Sequence, residues 1–135
     1  TVFGSPGVSF GLYVINDAAV DVKESTFSTQ ADSSSVALFL GGTARVEATG
    51  SSFVAGPLTT AHPSVYGAHI AGGANLDSNQ SNFESTSVAA DNSGTGTARF
   101  GASQLVGSIA GASPSSFKCV FSYNGSFNPR AANCL

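Results

Sequence analysis

The stretch GGTARVEATGSSFVAG, residues 41–56, alternates apolar, small and polar side chains and then reaches a lone phenylalanine, Phe53. It belongs to a longer pattern that occurs three times without gaps and once more in shortened form. The four segments are GLYVINDAAVDVKESTF (11–27), ALFLGGTARVEATGSSF (37–53), GAHIAGGANLDSNQSNF (67–83) and GTARFGASQL (96–105). Repeats spaced by roughly 20–30 residues predict a solenoid in which each repeat forms one coil.

Equivalent positions of the repeats carry similar side chains. One apolar column holds Val20, Val46, Leu76 and Ala98, and the column two residues further along holds Val22, Ala48, Ser78 and Phe100. A third column consists of hydroxyl side chains: Ser25, Ser51, Ser81 and Ser103. A spacing of two is the period of a β-strand, so the columns predict parallel strands stacked like over like, about 4.8 Å apart.

Other folds explain the pattern less well. Glycines and β-branched residues interrupt every window, and apolar residues do not recur at helical spacing, so a helical fold is excluded. An antiparallel sandwich is also built from short alternating strands, but it gives no reason for whole repeats to align. We expect the intervening segments STQADSSSV, VAGPLTTAHPSVY and ESTSVAADNSGT to be connecting loops.

Length and charge limit the organisation and the function. The chain has 135 residues, which predicts one domain: an N-terminal segment (1–10), stacked coils (11–107) and a C-terminal cap (108–135). Charged residues make up only 10% and the net charge is −3. The basic residues are scattered, which argues against nucleic acid as a partner. No apolar run has the length of a membrane-spanning segment, so we expect no membrane insertion.

Two cysteines, Cys119 and Cys134, lie near the C-terminus. In a chain so poor in charge and rich in Ser and Thr, a disulfide is favoured over two free thiols. Two thiols with no nearby histidine do not make a zinc site. We therefore expect an extracellular or cell-surface location and no cofactor.

The phrases GGTARVEATGSSFVAG and GTARFGASQLVGS resemble the coils of right-handed parallel β-helix proteins, the pectate-lyase-like superfamily. The tail FKCVFSYNGSFNPRAANCL is similar to the C-terminal tails of secreted bacterial members. The resemblance implies an all-β, single-stranded, right-handed parallel β-helix of about four to five coils with a disulfide-closed tail. Members of the superfamily include polysaccharide lyases and hydrolases, phage tailspikes, adhesins and passive surface proteins.

An outward column of acids, Asp21, Glu47 and Asp77, continues into Arg99. Stacked carboxylates repel one another, so they need a cation or a basic neighbour, and Ca²⁺ prefers such oxygen ligands. Because Lys23 and Arg45 lie close by, we favour a salt-bridged, solvated face over a metal site. A pair of these acids also has the residue types of a glycosidase. No acid-rich loop walls a groove, so we expect no enzyme.

A second outward column places Tyr13, Phe39 and His69 above one another. Exposed rings bind sugars by stacking and also mark protein contacts. Three interpretations stay open: cover by the chain's own N-terminal segment, contact with another subunit, and contact with a sugar. The other histidine, His62, is expected to be solvated in a loop.

The N-terminal segment is apolar, contains Phe3, Val8 and Phe10, and has no charge before Asp17. An uncharged end does little to prevent strand addition at an open solenoid end. We therefore predict a structural protein that assembles with copies of itself, end to end or through the aromatic column, as a surface fibre or sheath. The alternatives are a carbohydrate-binding module and a polysaccharide-cleaving enzyme. The sequons at Asn79 and Asn124 are interpreted as chance occurrences.

Overall fold

The computed structural model describes residues 7–31, 33–57, 64–111 and 116–135, and every element of regular secondary structure in these ranges is a β-strand. The strands are β1 (Val8–Val14), β2 (Ala19–Lys23), β3 (Thr26–Ala31), β4 (Ser34–Leu40), β5 (Arg45–Thr49), β6 (Ser52–Pro57), β7 (Ser64–Ile70), β8 (Asn75–Asn79), β9 (Asn82–Asn92), β10 (Ala98–Gly101), β11 (Gln104–Gly111), β12 (Phe117–Val120) and β13 (Tyr123–Asn124).

Each strand pairs in parallel with its equivalent in the next coil, which gives a β-solenoid of about four turns. One face contains β1, β4, β7 and the end of β9. The second contains β2, β5, β8, β10 and β12, and the third contains β3, β6, the start of β9, the start of β11 and β13. The predicted all-β parallel solenoid is therefore confirmed.

The strand register confirms the columns read from the sequence. On the second face Val20 pairs with Val46, Val46 with Leu76, and Leu76 with Ala98. The repeat continues one rung further than the sequence pattern showed, because Ala98 pairs with Phe117. The C-terminal region thus begins as another coil whose strands lie on β10 and β11.

The predicted loops are too long, because they include residues that lie in strands. The segment ESTSVAADNSGT lies largely in β9, which runs to Asn92, and STQADSSSV contributes to β3 and β4. The reason is packing: Ala89 and Ala90 are fully buried, and Ala90 pairs with Ala68 of the coil before it. The small residues of this segment, which suggested a loop, occupy inward positions of a narrow coil.

Stacked phenylalanines form the centre of the core. The ring centroids of Phe27 and Phe53 are 5.3 Å apart, those of Phe53 and Phe83 are 5.0 Å apart, and both pairs are nearly parallel. Phe53 and Phe83 have no exposed surface. Burying such a side chain stabilises the fold by about 1.5–3 kcal/mol, so this column is a major part of the stability.

One corner of the solenoid repeats an unusual backbone conformation in every coil. A residue with φ between +46° and +59° occupies it each time: Glu24, Gly50, Gln80, Ala102 and Phe121. The next residues form the predicted serine column, and the amide N–H of each serine donates to the hydroxyl oxygen of the serine below. These bonds join Ser25, Ser51, Ser81, Ser103 and, beyond the predicted column, Ser122, at 3.2–3.4 Å.

Candidate functional site

The predicted aromatic column is present on the first face. The rings of Tyr13 and Phe39 are stacked with centroids 4.8 Å apart and planes 10° apart. Phe39 and His69 follow at 5.5 Å and 7°. These distances are close to the spacing between rungs, because consecutive coils place the three residues directly above one another.

Two further rings flank this column edge-on. Phe10 lies 4.9 Å from Tyr13 and 5.6 Å from Phe39, and Tyr66 lies 5.1 Å from His69. Phe10 thus provides part of the cover expected from the N-terminal segment. A groove of about 170 Å³ runs beside the rings and is lined by Val8, Phe10, Ser34, Val36, Phe39, Tyr66 and His69. We call this surface the aromatic groove.

Asp91 extends the column and was missed by the sequence analysis, which placed it in a loop. It pairs with His69 in the strand register, and its Oδ2 lies 3.0 Å from Nδ1 of His69. Burial raises the pKa of the Asp91 carboxyl, while the charge of His69 acts to lower it. The sequence columns did not extend to it because Asp91 follows His69 by 22 residues, whereas His69 follows Phe39 by 30.

Stacking decides which part of the column another molecule can reach. Parallel rings at 4.8–5.5 Å cover one another's faces, so Phe39 presents mainly an edge. Tyr13 is the first ring of the column and is 51% exposed. Among the described residues no ring is stacked on its N-terminal side. The accessible ring face of the column therefore points out of the N-terminal end.

Exposed apolar side chains concentrate at the two ends of the solenoid. Among the residues that the structure describes, the large hydrophobic side chains that are exposed are Val8, Tyr13, Ile15, Val120, Phe121, Tyr123, Phe127 and Leu135. The first three belong to the first coil and the other five to the last coil and its tail. In the described part of the middle coils the large apolar side chains are buried or half-buried, because each of these coils has a neighbour on both sides.

The N-terminal end is an open sheet edge within the described part of the chain. Strand β1 pairs only with β4, β2 only with β5, and β3 only with β6. Half of the backbone N–H and C=O groups of these strands point away from their one neighbour. Phe3, predicted to contribute to this end, lies outside the described residues, as does His62.

The C-terminal end has part of its backbone edge occupied by the tail. The amide of Cys119 donates to the carbonyl of Ala132, and the amide of Arg130 donates to that of Ser122, at 2.8 and 2.7 Å. Tyr123 also forms an antiparallel bridge with Pro129. The predicted disulfide between Cys119 and Cys134 is present and fixes the tail to β12.

A half-buried guanidinium also holds this tail. Nη2 of Arg130 donates to the carbonyl oxygens of Leu105 and Gly107, at 3.0 and 2.8 Å, and Nη1 donates to that of Cys134 at 3.0 Å. Burial lowers the pKa of Arg130. Two charge-assisted hydrogen bonds thus join the tail to β11, and a third connects Arg130 to Cys134 within the tail.

The acidic column forms as predicted, with Asp21, Glu47 and Asp77 in register, and Asp77 beside Arg99. Lys23 pairs with Asp21 at 2.6 Å and Arg99 with Asp77 at 3.4 Å. The hydrogen bond and charge of Asp21 raise the pKa of Lys23. Over the described ranges no group of three acidic, histidine or cysteine side chains is arranged to hold a metal ion.

The sequon residues differ in their surroundings. Asn79 is exposed at the end of β8. Asn124 is half-buried, and its Oδ1 accepts the amides of Ser126 and Asn128 at 2.9 and 3.0 Å.

No family model, curated protein or solved structure matches this chain. Within the described ranges, no helix has the length and hydrophobicity needed to cross a membrane.

Proposed function

We propose that this chain is a non-catalytic extracellular structural protein whose copies assemble through the ends of the solenoid into a surface fibre or sheath. The observation that carries the proposal is the distribution of exposed apolar side chains, which in the described part of the chain lie at the two ends and not on the coils between them. Large exposed apolar patches mark contact surfaces. An edge of unpaired strands is in addition a template for further strand pairing.

Two other features support the location and the structural role. A disulfide persists in oxidising environments, such as the outside of a cell. The acids of the outward column are paired with bases at Asp21 and Asp77, as expected for a solvated face rather than a catalytic pair. We further propose a distant relationship to the pectate-lyase-like superfamily, supported by the parallel coils and by the quoted phrases.

Light scattering over a range of protein concentrations, with electron microscopy of the same samples, tests this function. We expect the mass to rise with concentration and filaments or regular oligomers to appear. The double variant Tyr13→Ser, Phe127→Ser removes one exposed ring from each end and should shift assembly to higher concentration. Arg45→Gln in the middle coils is the matched control. A wild-type chain that stays monomeric at millimolar concentration contradicts the proposal.

Carbohydrate binding is the second candidate, and the aromatic groove favours it. His69 and Asp91 place polar atoms beside the rings, as a sugar-binding groove requires. It ranks second because the stacked rings cover one another's faces. Titration with neutral and acidic oligosaccharides, followed by NMR, tests it. Perturbation of Phe39 and His69 that is lost in Asp91→Asn supports sugar binding, and unchanged spectra contradict it.

A further inference from the structure

We infer that the N-terminal end of the solenoid binds the N-terminal end of a second copy, in a two-fold symmetric contact with antiparallel strands. This inference rests on the proposed self-assembly and specifies its geometry. Its ligand is the same surface of another chain: β1, β2 and β3 with the exposed ring of Tyr13. It differs from head-to-tail stacking, in which the N-terminal end of one copy continues the C-terminal end of the next.

The first step of the argument is which edges are free to pair. The strands of the first coil each have one neighbour, so their outward backbone groups lack strand partners within the described chain. At the other end, residues 128–134 form backbone hydrogen bonds with Cys119, Ser122 and Asn124, while the end of β11 has no strand partner on its C-terminal side within the described chain. Head-to-tail continuation therefore finds a free strand edge only at the end of β11, whereas a second N-terminal end offers free edges on all three strands of its first coil.

The second step is the direction of the strands. A two-fold axis perpendicular to the solenoid inverts the partner copy, so strands that meet across it run antiparallel. Antiparallel pairing forms as readily as parallel pairing and is slightly more stable per residue. Each copy presents the same surface, as an isologous contact requires.

The third step is the size of the contact. Strands β1, β2 and β3 have 7, 5 and 6 residues. A standard interface of about 800 Å² per partner uses roughly 20–30 residues on each side. One coil in cross-section therefore approaches the size of a stable dimer contact. Val8, Tyr13 and Ile15 supply apolar side chains at its rim.

The fourth step concerns the aromatic column. Its rings stack through the first three coils, and the column ends at the exposed face of Tyr13. In the two-fold contact with β1 paired along its whole length, Tyr13 of each copy lies opposite Ser9 of the other, so the exposed face of the ring is covered by the partner copy.

Spin-label distances distinguish the two geometries. A label on Ser126→Cys sits at the exposed C-terminal turn, far from the proposed contact. Five rungs at about 4.8 Å give a solenoid roughly 25 Å long, so an N-to-N dimer separates the two labels by roughly 50 Å. Head-to-tail pairing separates them by roughly 25 Å. The shorter distance, without the longer one, overturns this inference but leaves the proposed self-assembly intact.

Absence of any dipolar coupling between labels, with monomers in light scattering, overturns both proposals. Two variants add an independent check. Tyr13→Ser should weaken the dimer at least tenfold, and Tyr123→Ser, the same change at an exposed tyrosine of the other end, should leave it unchanged. Because the chain has no tryptophan, Tyr13→Trp reports the contact by fluorescence. Its emission should shift to shorter wavelength as the protein concentration rises, and a constant spectrum contradicts the contact.

Discussion

The two ends of this solenoid differ in how the backbone groups of the terminal rung are covered. Both present the terminal rung of the three faces, and both expose apolar side chains. At the C-terminal end the tail returns over β12 and β13, and the disulfide and Arg130 hold it there. At the N-terminal end the described strands carry no such cover. The two ends therefore differ in what they can bind, because the tail offers apolar side chains, whereas the N-terminal end also offers backbone groups without strand partners in the described chain.

The most disruptive change opens the C-terminal end. Replacing Cys134 by serine removes a crosslink across 15 residues, which is worth about 3 kcal/mol for a loop of this length. The midpoint of urea unfolding should fall accordingly. We also expect the freed edge of β12 and β13 to permit longer assemblies in light scattering. Unchanged stability in Cys134→Ser, equal to that of the wild type under oxidising conditions, contradicts the role assigned to the disulfide.

Arg130 provides a milder way to release the same tail. Arg130→Met keeps much of the side-chain volume but removes its hydrogen bonds to Leu105, Gly107 and Cys134. Bonds to a charged group contribute roughly 1.5–3 kcal/mol, so we expect a loss of about 2 kcal/mol in urea unfolding. Arg99→Met, at an exposed arginine, is the control and should change stability by less than about 1 kcal/mol. An equal loss of stability in the two variants contradicts the role assigned to the hydrogen bonds of Arg130.

The sequence repeat predicted most of the fold, but it predicted little of the difference between the N-terminal and the C-terminal end. Columns such as Val20–Val46–Leu76–Ala98 set the strand register, because a one-residue slip moves every apolar side chain outward. The Tyr13–Phe39–His69 column followed from the same alignment. Asp91 and the rung at Phe117 did not, since both follow segments with small residues and no terminal phenylalanine. The antiparallel return of the tail involves contacts that no repeat encodes.

The left-handed corner offers the same substitution at both ends. Glu24 in the first coil and Phe121 in the last have φ of 46° and 53°. A non-glycine residue in this region costs roughly 1–2 kcal/mol, partly offset by the chain entropy that glycine adds on unfolding. Glu24→Gly and Phe121→Gly should therefore each raise stability by about 0.5–1 kcal/mol in thermal unfolding. Thr49→Gly, which lies in a strand, is the control and should lower it. Destabilisation by both corner variants is the opposing result.

The smallest expected effect concerns Asp91, which lies on a face of the solenoid between its two ends. Burial raises the pKa of Asp91 in the folded chain above the ordinary value of 3.8, so the folded state binds the proton more tightly than the unfolded state. Its contribution to stability is therefore greatest below pH 3.8 and declines as the pH rises through the folded-state pKa. Asp91→Asn should flatten this part of the pH profile. A wild-type profile identical to that of Asp91→Asn over this range contradicts the assignment.

Concentration-dependent hydrogen exchange tests the difference between the ends most directly, because it follows backbone amides in both at once. If the N-terminal edge pairs with a second copy and the C-terminal edge is closed by the tail, protection of amides in β1, β2 and β3 rises with protein concentration, and that in β12 and β13 stays constant. Protection that rises with concentration in β12 and β13, or in neither end, contradicts the account.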